Sequence, residues 1–559
     1  MRAPRSLALL TAVAAALGPS LAGCSGGAED EAAPRADRTA SAAGRPSGAA
    51  ASRTPARPQG SWIPGFVAAM SVREKVGQLF VPAFPDAESA KEMVERYHVG
   101  GLIYFPRNLR SPRQTAALSN ELQQASKIPL LLAVDEEQGT VTRAPFTTRF
   151  PGNMALGATG RPDDARAAAQ VTGSELRAVG INQNFAPVAD VNVNPANPVI
   201  GVRSFGADPA LVSRMLAAAV AGYQAAGVAA TAKHFPGHGD TDTDSHTGLP
   251  VIEHSRATWE RVDAPPFRAA VAAGADAIMT AHIVVPGLDK SGAPATLSRT
   301  VLTGLLRGSL GYRGVIVTDS LQMEGAMVRY GPGETAVRAV NAGADQLLMP
   351  PSLPAAYDAV LSAVRDGRIP RKRLDEAVTR ILQMKERRGL FRGVEADEAR
   401  ADAAVRTAAG RATAQRIAEH SITLVTNDGG LLPLKNKTVH VTGPKSAALA
   451  AALRGQGVRV ADSPRAADVA VLTTVDAGKA TAAKVRELRP KPVVVAALGR
   501  PYDLDSARGA AATLAAYSTA AVSVRALAKV LTGAVNPTGR LPVKAGGHPI
   551  GHGLSYRSA

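Results

Sequence analysis

The stretch richest in reactive side chains is residues 233–246, which read KHFPGHGDTDTDSH. It holds three of the ten histidines of the chain together with three aspartates, and it has no aliphatic side chain. His and Asp are suitable metal ligands. They also suit proton transfer, because Asp244 could orient the imidazole of His246 and raise its pKa. The spacing alone leaves two interpretations open, a metal site and an acid–base loop.

Ionisable residues also stand at the ends of five apolar runs elsewhere in the chain. They are Asp135, Asp190, Lys233–His234, His282 and Asp319. Any one of them could be an ordinary turn or capping residue. Capping requires neither Lys nor His, however, so the set as a whole predicts a common site where strands end. A carboxylate such as Asp319, which directly follows a strand, is well placed to act as a nucleophile.

The elements that would position these groups are eight short apolar runs separated by helical stretches. Strands that alternate with helices indicate parallel βαβ units. Eight units over about 290 residues match the size of a (β/α)8 barrel. An open doubly wound sheet is the alternative, and the count of eight favours a closed barrel. The predicted strands are 78–84, 100–105, 129–135, 181–190, 228–234, 276–282, 314–319 and 344–349.

A second, smaller α/β domain is predicted after the barrel. The barrel is assigned to residues 61–392, a helical linker to 393–420, and the C-terminal domain to 421–559. Within the barrel, the strongly basic segment 365–393 is interpreted as a solvated amphipathic helix. The C-terminal domain is expected to contain an open sheet, with strands at 421–426, 438–442, 468–474 and 492–498.

The N-terminus has the pattern of an export signal. Arg2 and Arg5 precede a mostly apolar run, and Ala22-Gly23-Cys24 follows it. This end resembles the lipobox of bacterial lipoproteins, which implies that residues 1–23 are a signal peptide and that Cys24 carries a lipid. The lipid would anchor the protein to the outer face of the cell membrane, an extracytoplasmic location. Residues 24–60 are rich in small and polar residues and are predicted to be a disordered tether.

Composition excludes several classes of protein. The 559 residues are 45% hydrophobic, which excludes wholesale disorder. No stretch after residue 25 approaches the roughly 20 apolar residues of a membrane span. Cys24 is the single cysteine, which excludes internal disulfides and cysteine-rich metal sites. The net charge of +17 predicts an anionic partner, and the extracytoplasmic location favours cell-wall polymers over nucleic acid.

Three motifs in the barrel resemble those of glycoside hydrolase family 3, in particular its bacterial β-N-acetylglucosaminidases (β-hexosaminidases). The segment 233–250 is similar to the acid–base loop of that family, 311–323 to its nucleophile signature, and 133–143 to its substrate-binding segment. The C-terminal domain resembles that of the family at SITLVTNDGGLLPL, NPTGRLPV and GHGLSY. The resemblance runs from about residue 65 to the C-terminus.

The resemblance implies a retaining, exo-acting hydrolase that removes terminal β-linked N-acetylglucosamine from peptidoglycan fragments or chitooligosaccharides. Asp319 would form the covalent glycosyl-enzyme, and His246, oriented by Asp244, would replace the usual second carboxylate. We expect a monomer that needs no cofactor and no metal. The sugar-binding positions of the family carry over to Asp135, Arg143, Arg203, Lys233 and His234.

Two positions depart from the family pattern, because Gln138 stands where the first of two glycines is usual and Thr140 where a basic residue is common. The departure predicts a stiffer loop. Three alternatives to the hydrolase remain open at this point. The protein could be a phosphorylase of the same family, since a neutral base repels phosphate less than a carboxylate does. It could also be a lipid-anchored sugar-binding protein without turnover, or a zinc hydrolase.

Overall fold

The structure is a computed structural model, and it describes residues 62–245, 247–327, 329–393 and 395–556. The predicted signal peptide and the whole of the predicted tether, including Cys24, lie outside these ranges, and so does His246. No helix in the described ranges is long and apolar enough to cross a membrane.

Eight parallel strands form the first sheet system. Strands β2 to β7 make a six-stranded sheet in sequence order, and β1 pairs with β8. Single bridges between Ala83 and Ile103 and between Val317 and Gln346 join the two sheets into a ring. The predicted (β/α)8 barrel is therefore confirmed, and the open-sheet alternative is wrong. The strands are β1 (Phe80–Val81), β2 (Gly101–Ile103), β3 (Leu131–Val134), β4 (Gln183–Asn184), β5 (Ala229–Phe235), β6 (Ala277–Thr280), β7 (Val315–Val317) and β8 (Leu347–Leu348).

Helices surround this ring, and several begin with a proline in the first turn. Ser111, Asp208 and Ser352 cap three of these helices through their side chains, which satisfies backbone N–H groups that have no partner inside the helix. A π-helix at Thr300–Ser309 lies between β6 and β7. The helices are α1 (Ile63–Ala69), α2 (Val72–Gly77), α3 (Ala87–Tyr97), α4 (Pro112–Ala125), α5 (Asn153–Thr159), α6 (Pro162–Ala178), α7 (Pro209–Ala225), α8 (Arg256–Val262), α9 (Ala264–Ala272), α10 (Glu324–Met327), α11 (Pro332–Ala342), α12 (Leu353–Arg365) and α13 (Arg371–Arg387).

Helix α13 packs against the end of the barrel where the strands begin. Its Ile381 and Met384 belong to the same apolar cluster as the inward-facing residues of the strands. The basic residues Arg373 and Arg380 pair with the fully buried carboxylate of Asp345, just before β8. The predicted amphipathic helix is therefore present, since one face fills the barrel end. The expectation that its charged residues are solvated is wrong for Arg373 and Arg380, which neutralise the buried Asp345.

The C-terminal domain contains one open sheet of six strands in the order β11-β10-β12-β13-β14-β9. All neighbours are parallel except β9 and β14. Two strands lie outside the four predicted runs, since β14 is alanine-rich and β11 has only two residues. Helix α15 contacts α5 of the barrel and α18 of this domain. The elements are α14 (Ala401–Ala404), α15 (Ala408–Ser421), β9 (Thr423–Asn427), β10 (Thr438–Thr442), α16 (Ser446–Arg454), β11 (Arg459–Val460), β12 (Val469–Thr474), α17 (Ala480–Glu487), β13 (Val493–Ala497), β14 (Ala512–Ala515) and α18 (Ala521–Thr532).

Candidate active site

A pocket of about 400 Å³ opens at the ends of the barrel strands where loops begin. This is the face of a (β/α)8 barrel that carries active sites. We call it the catalytic pocket. It brings together the predicted nucleophile and all five predicted sugar-binding residues: Asp319, Asp135, Arg143, Arg203, Lys233 and His234.

Asp319 stands two residues beyond the end of β7, at the wall of this pocket. Its Oδ1 accepts a hydrogen bond of 2.7 Å from the backbone N–H of Ser320, which fixes the direction of the carboxylate. Burial alone would raise the pKa of Asp319, but the neighbouring charges of His234 and Lys233 lower it below its ordinary value. The carboxylate is therefore ionised at neutral pH, which is the form that a nucleophile requires.

A buried ion-pair network joins four residues beside this carboxylate. The Lys233 Nζ lies 2.6 Å from Asp135 Oδ1 and 2.7 Å from Glu137 Oε1. Arg203 donates two parallel hydrogen bonds of 2.8 Å to Glu137. Burial raises the pKa of Glu137, but Arg203 and Lys233 outweigh it and hold that pKa far below the usual range. Glu137 therefore fixes the two cations that face the pocket, a role that the sequence analysis did not assign.

His234 is oriented by a second buried carboxylate, that of Asp190. The Nδ1 of His234 lies 2.7 Å from Asp190 Oδ2, while the backbone N–H groups of His234 and His238 donate to Asp190 Oδ1. With Nδ1 bound to Asp190, Nε2 is the nitrogen that can reach a ligand in the pocket. The sequence places Asp190 in the predicted common site at the strand ends but indicates no specific role for it. Its contacts make it the residue that positions His234.

The predicted acid–base dyad is only partly described. His246 is outside the described residues, so its role stays a prediction. Asp244 is half-buried in the turn before it, and the neighbouring Ser245 lines the catalytic pocket. The hydroxyl of Ser245 lies 3.0 Å from Nε2 of His238. Burial lowers the pKa of His238 to about 4, so this imidazole is neutral at physiological pH and holds the loop by an uncharged contact.

The acid–base loop has a further anchor on its outer side. His254 lies 2.9 Å from Asp240 through Nε2 and 2.6 Å from Asp263 through Nδ1. Asp240, one of the three aspartates that suggested a metal site, is thus paired with a histidine. Among the described residues no group of three or more His, Cys, Asp or Glu side chains is arranged to hold a metal ion.

Arg143 and Gln138 show how the substrate-binding segment is built. The Nε of Arg143 is buried, and no hydrogen-bond partner for it is found within the described ranges. Gln138 adopts a left-handed backbone with φ of 69°, the conformation for which glycine is usual. Its side chain compensates by bonding Thr172 Oγ1 at 3.1 Å and the backbone N–H of Phe150 at 3.1 Å. These two bonds link the loop to Thr172 and Phe150, and the stiffening of the loop stays a prediction.

Comparison with known proteins gives the same family on both domains. The Glycosyl hydrolase family 3 N terminal domain matches residues 71–384, and the family 3 C-terminal domain matches residues 457–548. The chain is 38% identical to β-hexosaminidase A of Pseudoalteromonas piscicida over 63% of this chain and 64% of that protein. It is 35% identical to the β-hexosaminidase LpqI of Mycobacterium tuberculosis over 69% of this chain and 98% of that protein.

Solved structures agree with this assignment. A glycoside hydrolase family 3 β-N-acetylglucosaminidase from Paenibacillus sp. str. FPU-7 is 41% identical, with a TM-score of 0.79 over 85% of this chain and 99% of its own. A β-glucoside phosphorylase bound to 2FGlc is 26% identical, also with a TM-score of 0.79, over 88% of this chain and 97% of its own. The chain belongs to glycoside hydrolase family 3, as its motifs predict.

Proposed function

We propose that the protein is an exo-acting, retaining β-N-acetylglucosaminidase. The observation that carries this proposal is the ionised Asp319 carboxylate in a closed-ended pocket beside Lys233, His234, Arg143 and Asp135. A pocket of this size accepts a small ligand and suits the end of a sugar chain. Lys233, His234 and Arg143 can donate hydrogen bonds to sugar oxygens, while Asp135 can accept them from sugar hydroxyls.

The proposed reaction has two displacements. Asp319 attacks the anomeric carbon, the glycosidic C–O bond breaks, and His246 gives its proton to the departing oxygen. His246 then takes a proton from water, whose oxygen attacks the same carbon and releases Asp319. Asp244 is proposed to orient His246. His246 is protonated before the first displacement and neutral before the second, and neither form repels the Asp319 carboxylate as a second carboxylate would, which supports the dyad on physical grounds.

The direct test replaces the nucleophile. Asp319→Ala should reduce the hydrolysis of a chromogenic β-N-acetylglucosaminide by at least about 10⁴-fold, because the covalent step is removed. External azide should then restore part of the rate and give a glycosyl azide of inverted configuration, since a small anion can occupy the space of the lost carboxylate. Full activity of this variant would refute the proposal, and an inactive wild-type protein would favour a sugar-binding protein without turnover.

Phosphorolysis is the second candidate, and it is favoured by the structural similarity to a β-glucoside phosphorylase. In that case phosphate, not water, would release the sugar from Asp319. Product analysis with and without phosphate separates the two, because hydrolysis gives free N-acetylglucosamine and phosphorolysis gives the sugar 1-phosphate. The names of the relatives favour hydrolysis.

The natural substrate and the location are further proposals. We propose peptidoglycan fragments or chitooligosaccharides as substrates, and a lipid on Cys24 as the anchor to the outer face of the cell membrane. Cys24→Ala should release the protein from the membrane fraction into the medium without changing its specific activity. Retention of that variant on the membrane would contradict the anchor.

Binding of the protein to isolated cell walls should weaken as the salt concentration is raised, if anionic wall polymers attract its positive charge.

A further inference from the structure

A second cavity, larger than the catalytic pocket, lies between the barrel and the C-terminal domain. Its volume is about 620 Å³. We call it the interdomain cleft. The barrel contributes Val202 and residues from 139–142 and 148–151. The other walls come from Arg406, α15, the loops that follow β12, β13 and β14, and the start of α18. Nothing in the proposed reaction uses this space.

The charge of the interdomain cleft is strongly one-sided. Its walls carry one carboxylate, Asp476, and five arginines: Arg149, Arg406, Arg411, Arg500 and Arg525. Asp476 pairs with Arg500 at 3.0 Å, and Arg149 reaches Glu136 behind the wall at 3.3 Å. The three remaining arginines of the cleft are Arg406, Arg411 and Arg525.

The side chains of the other three arginines donate to uncharged oxygens. The Nε of Arg525 bonds Gln415 Oε1 at 3.0 Å, and the Nε of Arg406 bonds the backbone carbonyl of Thr147 at 3.1 Å. Arg411 bonds the backbone carbonyl of Arg406. A guanidinium has five N–H donors, and the hydrogen bonds found here use one or two on each. An anion that enters the cleft therefore meets cations whose remaining N–H donors have no hydrogen-bond partner in the described part of the chain.

The interdomain cleft and the catalytic pocket share a wall. Thr140 and Thr142 line the cleft, whereas the alternate residues Val141 and Arg143 line the catalytic pocket. The same loop is pinned by the bridge between Gln138 and Val141. The two cavities therefore lie on either side of one short segment of the chain.

We propose that the interdomain cleft binds carboxylate groups on the leaving-group side of an acidic saccharide substrate, such as a sugar that bears a short acidic peptide. The proposal rests on the proposed glycosidase activity and adds the chemistry of the departing part of the substrate. Arginine suits carboxylates because its planar fork donates two parallel hydrogen bonds. The apolar walls formed by Phe150, Leu498 and Val522 would contact the uncharged parts of the same group.

This arrangement predicts a preference that depends on the leaving group alone. A substrate with a neutral leaving group uses only the catalytic pocket, so the arginines of the cleft should not affect its cleavage. A substrate with a carboxylate-bearing leaving group gains charge-assisted contacts in the cleft. Its advantage in kcat/KM should shrink as the ionic strength is raised, because the arginines are solvent-accessible.

The test compares two substrates on matched double variants. Arg411→Gln/Arg525→Gln removes two cleft cations, and Arg454→Gln/Arg486→Gln removes two exposed cations from α16 and α17 of the C-terminal domain. The substrates are chitobiose and N-acetylglucosamine linked β-1,4 to N-acetylmuramic acid bearing a dipeptide. We expect kcat/KM for the acidic substrate to fall about tenfold in the cleft variant. The control variant should match the wild-type protein on both substrates.

Each other outcome has a distinct meaning. Equal effects on both substrates, or no effect on either, would overturn the cleft as a leaving-group site. The same holds if the cleft variant lost only its binding to a phosphate-rich wall polymer, with unchanged kinetics. Arg411→Lys/Arg525→Lys should restore part of the preference, since the charge is kept. If the wild-type protein cleaved neither substrate, the glycosidase proposal itself would fail.

Discussion

Two adjacent buried glutamates allow a sharp test of how the catalytic pocket is held together. Glu137 meets Arg203 and Lys233, whereas Glu136 accepts hydrogen bonds from the backbone N–H groups of Arg143 and Ala144. The pKa of Glu137 is lowered because the two cations outweigh its burial. The pKa of Glu136 is raised because its burial outweighs its hydrogen bonds. The same substitution to glutamine at each position should therefore have different consequences.

Glu137→Gln keeps the shape of the side chain and removes its charge. The side chain of Glu137 is 1% exposed, and those of Lys233 and Arg203 are 3% and 15% exposed, so the uncompensated cations stay largely dehydrated. Breaking a buried ion pair from one side costs about 3–5 kcal/mol of unfolding free energy. Because Lys233 still has Asp135 as an ionic partner, we expect Glu137→Gln to lower the free energy of unfolding by about 3 kcal/mol. Displaced Arg203 and Lys233 should also lower kcat/KM about 100-fold.

Urea unfolding at pH 7, followed by tryptophan fluorescence, measures the effect in the barrel. Both tryptophans of the chain, Trp62 and Trp259, lie in the barrel part of the sequence. Glu136→Gln is the control, and we expect it to cost about 1 kcal/mol, since one amide oxygen can still accept a backbone hydrogen bond. Equal losses in the two variants, or a loss below about 1 kcal/mol for Glu137→Gln, would refute the assigned roles.

The pH dependence gives an independent check on the same pair. A lowered pKa means that the Glu137 contribution is present above the unfolded value of 4.5 and is lost as the pH falls below it. The stability difference between wild type and Glu137→Gln should therefore shrink by about 1.4 kcal/mol per pH unit below that value. The pH dependence of the Glu136 contribution has the opposite sign, because its carboxyl group loses its proton at a lower pH in the unfolded chain than in the folded protein. Its ionisation lowers stability as the pH rises above 4.5.

Three further predictions concern other buried ionisable groups. Asp190→Asn removes the acceptor that orients His234, so kcat/KM should fall about 100-fold while circular dichroism stays unchanged. Burial lowers the pKa of Lys385 to about 7, so the unfolded chain binds the extra proton above that pH. Stability should therefore rise between pH 7 and 9, and Lys385→Met should flatten this rise in urea titrations. The pKa of His254 is raised above its ordinary value, chiefly by its hydrogen bond to Asp263. The anchoring of the acid–base loop by His254 should therefore weaken as the pH rises through this raised pKa. His254→Gln should accordingly make residues 236–250 more sensitive to limited proteolysis, and unchanged cleavage would contradict that role.

The barrel was predictable because parallel strands buried on both faces read as continuous apolar runs. The site followed from the same pattern. Asp135 directly follows β3, Lys233 lies two residues before the end of β5, and Asp319 lies two residues beyond β7. The sequence pattern does not distinguish the role of Glu137 from that of Glu136. Their difference lies in Arg203, which is distant in sequence, and pairings of that kind leave no periodic signal.

The C-terminal domain and the basic helix show the other limits of the pattern. Two of the four residues of strand β14 are alanine, which is depleted in strands, so its pairing with β13 and β9 is a clearer sign of a strand than its sequence. The arginines of α13 resemble a solvated face because charge runs usually are solvated. Their buried partner, Asp345, comes before β8 and was not recognised as a structural carboxylate.

The apolar filling of the barrel, completed by Ile381 and Met384 of α13, has a consequence for the order of events in turnover. Because this filling closes the far end of the barrel within the part of the chain that the structure describes, we expect the sugar in the proposed reaction to leave through the mouth by which it entered. The leaving group must therefore clear the mouth first, and the monosaccharide follows it. Free product that re-enters the pocket would compete with new chain ends, so the proposed reaction should show competitive inhibition by the released monosaccharide.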